Sequence, residues 1–141
     1  MTFTRKAEAQ WKGSGKDGKG ILTTASGVLD KTAYSFHTRF EDGNNGTNPE
    51  ELVGAAHAGC FAMQLSFLLG EEGFTADSLD VTATVTFEDG SITNIVLNLE
   101  GKVPDIDAEQ FQQITHKAKE VCPISKLLKT DIQLKINLLN T

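Results

Sequence analysis

The sequence lacks the charge pattern of a nucleic-acid-binding protein. Acidic residues number 19 and basic residues 13, for a formal net charge of -6, whereas a nucleic-acid-binding face needs a local excess of Lys and Arg. The sequence also lacks an uninterrupted apolar run of the roughly 20 residues that span a bilayer. Its first residues contain no apolar stretch typical of a signal peptide. These absences predict a cytoplasmic protein that binds neither nucleic acid nor membrane.

Cysteine is scarce. The chain has two cysteines, Cys60 and Cys122, and in a reducing compartment such a pair is not expected to form a permanent structural disulfide. The metal-binding spacings CxxC, HxxxH and HExxH are missing, and although His57 and Cys60 share a helix face, two ligands are fewer than a zinc site needs. We therefore expect no metal and no cofactor, and interpret His57 as a polar residue within a helix-packing interface.

The length of 141 residues and the hydrophobic content of 39% suit a single domain, which we predict over residues 1–141. Alternating patterns predict an N-terminal antiparallel β-meander, followed by a loop over residues 41–47. Its strands are expected at residues 3–11, 21–25 and 34–40. Between the first two, Gly13–Gly20 approaches a phosphate-binding loop, but Gly20 stands where Ser or Thr is required and a strand follows. We interpret this segment as a hairpin turn.

A strong helix start follows the meander. Asn48 is a favoured N-cap, Pro49 suits the first helical position, and Glu51 occupies the capping-box position. Apolar residues continue around most of the circumference to Leu69, and Gly70–Gly73 ends the helix. We expect this helix to be buried on several sides. One subunit of this size cannot surround it, so the pattern favours burial between two subunits.

The remainder of the chain predicts two strands, a helix and a final strand, which together with the meander and the central helix indicate an α+β fold. Asp89 and Gly90 form the turn of a β-hairpin, and Asp107 caps the second helix. The expected elements are strands over residues 79–87 and 95–103, a helix over 107–121, a helical turn to 128 and a strand over 132–138.

The chemistry of Cys60 depends on its place in the helix. Mid-helix amides are already hydrogen-bonded and cannot serve as oxyanion donors, which argues against acyl transfer. A thiol peroxidase instead needs a thiolate, a neighbouring cation and a second thiol that resolves the sulfenic acid. Because Cys60 lies too far from the helix N-terminus to use its dipole, the cation must be a side chain. Of the two arginines, Arg5 lies in a charged segment, and Arg39 is either a buried, paired cation or an exposed strand residue.

Two segments carry a family resemblance. NPEELVGAAHAGCFAM over residues 48–63, with VCPIS over 121–125, resembles the OsmC/Ohr family of organic hydroperoxide reductases, and the resemblance spans essentially the whole chain. The arginine in the strand before the central helix, Arg39, is similar to that of the OsmC branch. The resemblance implies an OsmC-like fold with an N-terminal meander, a long buried central helix, a β-hairpin, a second helix and a C-terminal strand, assembled as an intertwined homodimer.

The same resemblance implies a mechanism. Cys60 would attack an organic hydroperoxide and become a sulfenic acid, and Cys122 would resolve it as a disulfide that an external dithiol reduces. Arg39 would lower the pKa of Cys60, and Glu50 would hold Arg39 in place. The alternatives are a redox-sensing or ligand-binding protein switched by a Cys60–Cys122 disulfide, and a zinc-binding module.

Helix geometry adds an expectation about assembly. Glu50 and Cys60 are ten residues apart, about 15 Å along a helix axis, so an arginine that reaches both within one subunit would be stretched. If the central helices of two subunits pack antiparallel, Glu50 of one approaches Cys60 of the other. We therefore predict active sites shared across a dimer interface. Four apolar residues are either core or the lining of a pocket for alkyl hydroperoxides: Phe40, Phe61, Met63 and Phe67.

Overall fold

Residues 1–42 and 45–140 are described by a computed structural model. The contacts divide the chain into two units, Met1–Leu52 and Val53–Thr141, and the division falls within the central helix. The single domain expected over residues 1–141 stays a prediction. Gly43 and Asn44, part of the loop expected over residues 41–47, lie outside the described residues.

The first unit contains the expected antiparallel meander. Its strands, in the order in which they pair, are β1 (Ala7–Lys12), β2 (Lys19–Thr24) and β3 (Thr32–Tyr34). Lys12 pairs with Lys19, which confirms that the glycine-rich segment is a hairpin turn. Trp11 and Tyr34 pack with ring centroids 5.4 Å apart, and a Cβ atom at Gly20 would collide with both rings.

The third strand is shorter than predicted. It ends at Tyr34, and the short helix α1 (Phe36–Phe40) replaces the strand expected to continue to Phe40. Ser35 caps this helix: its side chain accepts a hydrogen bond from the Thr38 N–H at 3.2 Å, and the Thr38 hydroxyl accepts one from the Ser35 N–H at 2.8 Å. A reciprocal cap of this kind stabilises a helix start and overrides the alternating pattern.

The central helix, α2 (Pro49–Glu71), begins as expected, since the Asn48 side-chain oxygen accepts a hydrogen bond from the Glu51 N–H at 2.8 Å. One stripe of α2 is buried: Gly54, His57, Phe61, Leu65 and Leu69. The face turned away from this stripe is exposed, with Met63 at 64% and Phe67 at 65% of full exposure. One chain therefore covers a single stripe of this helix.

The composition of α2 bears on the expectation that no segment of the chain spans a membrane. Although the helix contains polar residues such as His57 and Gln64, an 18-residue window within it has a mean hydropathy of 1.6. By length and composition alone, α2 is therefore apolar enough to cross a membrane. The sequence still lacks an uninterrupted apolar run of this length, since the mean hydropathy is a less strict criterion. Core helices of globular proteins meet the same criterion, so it does not distinguish a membrane-spanning helix from a core helix.

The second unit is built on a mixed sheet. Its strands pair in the order β4 (Ser78–Glu88), β5 (Ser91–Lys102) and β6 (Asp131–Leu138). β4 and β5 form the predicted antiparallel hairpin, with positive φ angles of 49° at Asp89 and 84° at Gly90, as a tight hairpin turn requires. β6 pairs with β5 in parallel. This parallel pairing was not anticipated from the sequence.

Two helices follow β5, and both confirm the sequence prediction. α3 (Ala108–Val121) is capped by Asp107, whose side chain accepts from the Gln110 N–H at 2.7 Å. α4 (Pro123–Leu127) is the helical turn after it. Helices and sheet enclose one core, whose fully buried large side chains include Phe61, Leu65 and Leu69 of α2, Ile95, Leu97 and Leu99 of β5, and Phe111 of α3.

Candidate active site

The two cysteines meet within the second unit. Cys60 lies on α2 and is half-buried, whereas Cys122 lies between α3 and α4 and is fully buried. Both are free thiols, and the Cys122 thiol donates a hydrogen bond to Cys60 Sγ at 3.2 Å. A disulfide has an S–S distance of about 2.05 Å, so the two sulfur atoms lie close to bonding distance.

Pro123 fixes the position of Cys122. The residue before a proline avoids the helical region, and Cys122 accordingly has φ -59° and ψ 122°. α3 therefore ends at Val121, and α4 begins one residue after Cys122. The first amides of a helix have no partner within it. One of them, the Ile124 N–H, lies beside the sulfur of Cys60 and lowers the pKa of its thiol.

The surroundings of Cys60 favour the thiol over the thiolate. Burial is the largest effect and raises the pKa of the Cys60 thiol above its ordinary value. The Ile124 amide acts in the opposite direction, because a donor beside the sulfur stabilises the thiolate. Because a thiolate is the reactive species, this thiol needs another positive group before it can act as a nucleophile near neutral pH.

His57 lies on α2, one helical turn before Cys60, and is fully buried. Its Nε2 atom lies 2.8 Å from Ser125 Oγ on α4, and its Nδ1 atom has no hydrogen-bond partner among the described residues. Burial lowers the pKa of His57, which favours the neutral ring. The residue thus lies in a helix-packing interface as predicted, but only one of its two ring nitrogens is hydrogen-bonded. Its partner Ser125 was part of the VCPIS motif but was assigned no role.

Arg39 and Glu50 form an ion pair within the first unit. Arg39 Nη2 donates to Glu50 Oε1 at 2.6 Å, and Arg39 Nε donates to Oε1 at 3.0 Å and to Oε2 at 3.2 Å. The guanidinium also lies over the Phe40 ring, 5.2 Å from its centroid. The Arg39 side chain is 38% exposed and that of Glu50 is 14% exposed. Arg39 therefore matches each alternative in part, because it is a paired cation and is also exposed.

The location of Arg39 corrects the sequence prediction: it lies on helix α1 and not on a strand. Asn48 helps to hold α1 against the start of α2, because its side-chain nitrogen donates to the Thr38 carbonyl at 3.2 Å while its side-chain oxygen caps α2. The spacing of Ser35 and Thr38, three residues apart, is the sequence signal that could have predicted this helix, because the two residues form a reciprocal helix cap.

The four candidate pocket residues differ in their exposure. Phe61 is core with no exposure, whereas Phe40, Met63 and Phe67 are exposed. Within the first unit a cleft lies beside Arg39, lined by Trp11, Tyr34, Phe36, Phe40 and Pro49 among others. Among residues 1–42 and 45–140, no group of three or more His, Cys, Asp and Glu side chains is arranged to hold a metal ion.

Comparison with known proteins now places the chain. A family model described as OsmC-like protein matches residues 41–137. This range includes three of the four predicted site residues, Glu50, Cys60 and Cys122, but not Arg39. The chain is also 51% identical to Peroxiredoxin OsmC of Escherichia coli over 98% of this chain and 99% of that protein. The chain belongs to the OsmC family.

Relatives named for organic hydroperoxide resistance support this placement. The chain is 31% identical to the organic hydroperoxide resistance protein OhrB of Bacillus subtilis, over 84% of this chain and 88% of the relative. The crystal structure of the OhrB protein of Bacillus subtilis superposes with a TM-score of 0.69 at 29% identity, covering 96% of this chain and 98% of the other. The predicted OsmC-like α+β fold is thereby confirmed.

Proposed function

We infer that this OsmC-family protein is a thiol-dependent peroxidase that reduces organic hydroperoxides to alcohols. The observation that carries the inference is the pair of free thiols, with Cys122 Sγ 3.2 Å from Cys60 Sγ. Its similarity to Peroxiredoxin OsmC and to an organic hydroperoxide resistance protein supports the choice of substrate. We further propose that the protein acts in the cytoplasm, where thiols are kept reduced.

In the proposed first step, the half-buried Cys60 is the nucleophile. Its thiolate attacks the distal oxygen of the hydroperoxide, an S–O bond forms and the O–O bond breaks. The proximal oxygen leaves as an alkoxide and takes a proton to become the alcohol. Cys60 is oxidised to a sulfenic acid, and the hydroperoxide is reduced by two electrons.

In the proposed second step, the Cys122 sulfur attacks the sulfur of the Cys60 sulfenic acid. An S–S bond forms, the S–O bond breaks and the hydroxyl leaves as water after taking the thiol proton. The sulfur atoms need to approach by about 1 Å from their separation of 3.2 Å. The buried position of Cys122 protects this thiol from direct oxidation by solvent species.

An external dithiol completes the cycle by thiol–disulfide exchange. Cys60 is half-buried and Cys122 is fully buried, so we propose that the dithiol attacks the Cys60 sulfur and that Cys122 is the leaving thiolate. The second thiol of the reductant then releases Cys60 and leaves as a cyclic disulfide. Both cysteines return to the thiol state, and the reductant has lost two electrons.

Arg39 is the proposed cation beside the Cys60 thiolate. Its guanidinium has five donors in a planar fork, so it can bind the Glu50 carboxylate and still present a donor to a thiolate and a peroxide oxygen. Glu50 would fix the orientation of that fork, as the contacts at 2.6 and 3.0 Å suggest. The Glu50 side chain is 14% exposed and that of Arg39 is 38% exposed, so the ion pair is only partly shielded from water.

We propose that a second copy of the chain brings the two pairs together. Glu50 and Cys60 lie about 15 Å apart along a helix axis, by the rise of 1.5 Å per residue. Exposed small and apolar residues follow one face of α2: Ala56, Gly59, Met63 and Phe67. Antiparallel packing of this face on itself would bury it and place Arg39 and Glu50 of one subunit near Cys60 of the other, in an isologous dimer.

Hydroperoxide consumption in the presence of dithiothreitol tests the function. With cumene hydroperoxide, the wild type should turn over many times, and Cys60→Ser should lose turnover by about 1000-fold or more because the nucleophile is gone. Cys122→Ser should form the sulfenic acid once, trapped with dimedone, and recycle poorly. Oxidation of the wild type once per chain, without further consumption, would instead identify a redox sensor and contradict the peroxidase.

A further inference from the structure

The hydrogen bond between His57 and Ser125 is partly buried and joins distant parts of the chain. His57 has no exposure, and its Nε2 atom lies 2.8 Å from the Ser125 hydroxyl across 68 positions of sequence. A hydrogen bond between buried neutral groups contributes modestly to stability. Removing one partner costs more, because the other partner is left without a hydrogen bond. The proposed peroxidase steps use neither the His57 nor the Ser125 side chain.

Both partners lie next to the thiols. His57 precedes Cys60 by one turn of α2, and Ser125 directly follows Ile124, whose amide lies beside Cys60 Sγ and lowers the pKa of that thiol. Cys122 is three residues before Ser125 in the same segment. The hydrogen bond therefore connects the helix that carries Cys60 to the segment that carries both partners of its sulfur.

We propose that His57 and Ser125 are positioning residues: their hydrogen bond holds the Cys122–Ser125 segment against α2, so that the Ile124 amide stays on Cys60 Sγ and Cys122 stays within reach for disulfide formation. The proposal rests on the peroxidase function for its role in turnover. The positioning of the Ile124 amide is independent of hydroperoxide chemistry.

The position of the segment matters most for the resolving step. Cys60 sulfenic acid and the Cys122 thiol give a disulfide and one water, and the reacting sulfur atoms must be held close and aligned. Pro123 fixes only the backbone at Cys122, since α4 has five residues and an N-cap that makes no side-chain hydrogen bond. Besides the contact between the two thiols, the hydrogen bond between Ser125 and His57 joins this short helix to α2.

The test compares Ser125→Ala with Ser125→Thr, and uses Ser91→Ala as the matched control. Ser125→Ala removes the hydroxyl with little change of shape, and Ser125→Thr keeps it. Ser91 is an exposed serine at the start of β5. His57→Gln is a second variant that should keep the hydrogen bond, because its side-chain amide nitrogen can take the place of imidazole Nε2. His57→Asn should lose the hydrogen bond, because its shorter side chain cannot reach Ser125.

Two rates are measured on each variant after one equivalent of cumene hydroperoxide: sulfenic acid formation, by dimedone trapping and mass spectrometry, and disulfide formation, by loss of free thiols. Ser125→Ala should slow disulfide formation by about tenfold, the effect of one lost buried hydrogen bond, so that the sulfenic acid accumulates. Ser125→Thr, His57→Gln and Ser91→Ala should resemble the wild type. Equal disulfide rates in Ser125→Ala and the wild type would overturn the proposal.

A third measurement separates this proposal from the peroxidase function. The pH dependence of Cys60 alkylation by iodoacetamide reports the thiol pKa without any hydroperoxide. Ser125→Ala should raise this pKa, because the Ile124 amide is no longer held on the sulfur. If the wild type consumes no hydroperoxide but this shift is seen, the function fails and the positioning role stands. An unchanged alkylation profile in Ser125→Ala would count against the positioning role itself.

Discussion

The Cys60–Cys122 pair and the Arg39–Glu50 pair are opposites in environment. The thiol pair is built into a core of large apolar side chains, and burial raises the pKa of Cys60. The ion pair belongs to the smaller unit, on a five-residue helix and the first turn of α2, with 38% of the Arg39 side chain exposed. One region holds a nucleophile that needs a positive charge, and the other holds a positive charge that is paired with a carboxylate.

This difference shows what each region contributes to the proposed catalysis. A buried thiol is protected from wasteful oxidation but is a weak nucleophile, because only the thiolate attacks a peroxide. A partly exposed arginine remains available to an incoming partner, and its carboxylate keeps the fork oriented. Neither region alone supplies all parts of a thiol peroxidase, so the proposed site requires both.

The largest expected effect comes from removing the charge. Arg39→Gln should lower the second-order rate constant for cumene hydroperoxide by about 100-fold, comparable to the loss of one preorganised donor in other active sites. It should also raise the pKa of Cys60 in iodoacetamide titrations. Arg39→Lys, which keeps the charge but not the fork, should recover part of the rate.

The outcome that contradicts this role is specific. If Arg39→Gln changes neither the rate constant nor the alkylation profile, while the protein remains folded by circular dichroism, then Arg39 is a surface cation. The cation required by Cys60 would then have to be sought elsewhere in the chain.

A smaller effect is expected from the carboxylate. Glu50→Gln keeps the shape of the side chain and one acceptor but removes the charge, so Arg39 loses orientation while its own charge remains. We expect about a tenfold loss in the rate constant, the cost typical of a charge-assisted hydrogen bond. A loss as large as that of Arg39→Gln would show instead that Glu50 acts directly on the substrate.

The smallest expected effect concerns the buried region alone. Because burial lowers the pKa of His57, the folded ring stays neutral while the unfolded ring gains a proton below its ordinary pKa of 6.5. Stability from this residue is therefore complete above pH 6.5 and is lost as the pH falls through the lowered pKa. The free energy of unfolding should therefore fall as the pH is lowered from 6.5 to 5.5.

Urea unfolding of the wild type and of His57→Gln at the two pH values measures this loss. The variant should lack it, because glutamine does not titrate, and Arg39→Gln should retain it. Equal pH dependence in the wild type and in His57→Gln would show that His57 accepts a proton without cost in the folded protein.

Local signals predicted much of this structure. The Asn48–Pro49 start of α2, the Asp89–Gly90 turn and the Asp107 cap are short-range devices, and all appear as expected. The sequence predicts a strand over Phe36–Phe40, where the structure has a helix. The helix start is hard to recognise because its cap combines Ser35 with Thr38 and not with an acidic residue. Local turn chemistry there prevailed over alternation.

Long-range contacts were harder to foresee. The parallel pairing of β6 with β5 depends on how α3 crosses the sheet and leaves no local mark in either strand. The His57–Ser125 contact joins residues 68 positions apart, and no periodicity connects them. The closeness of the two cysteines was suggested by resemblance and not by any pattern in the residues between them.

The shared site is tested most directly by mixing two inactive variants. Cys60→Ser and Arg39→Gln are refolded together, so that half of the dimers carry one chain of each kind. If Arg39 of one subunit serves Cys60 of the other, each mixed dimer holds one intact site, and hydroperoxide turnover should recover to about a quarter of the wild-type value in such an isologous dimer. Mixing Cys60→Ser with Cys122→Ser should restore nothing, since those thiols belong to the same chain. Activity no higher than the mean of the separate variants would contradict a site shared between subunits.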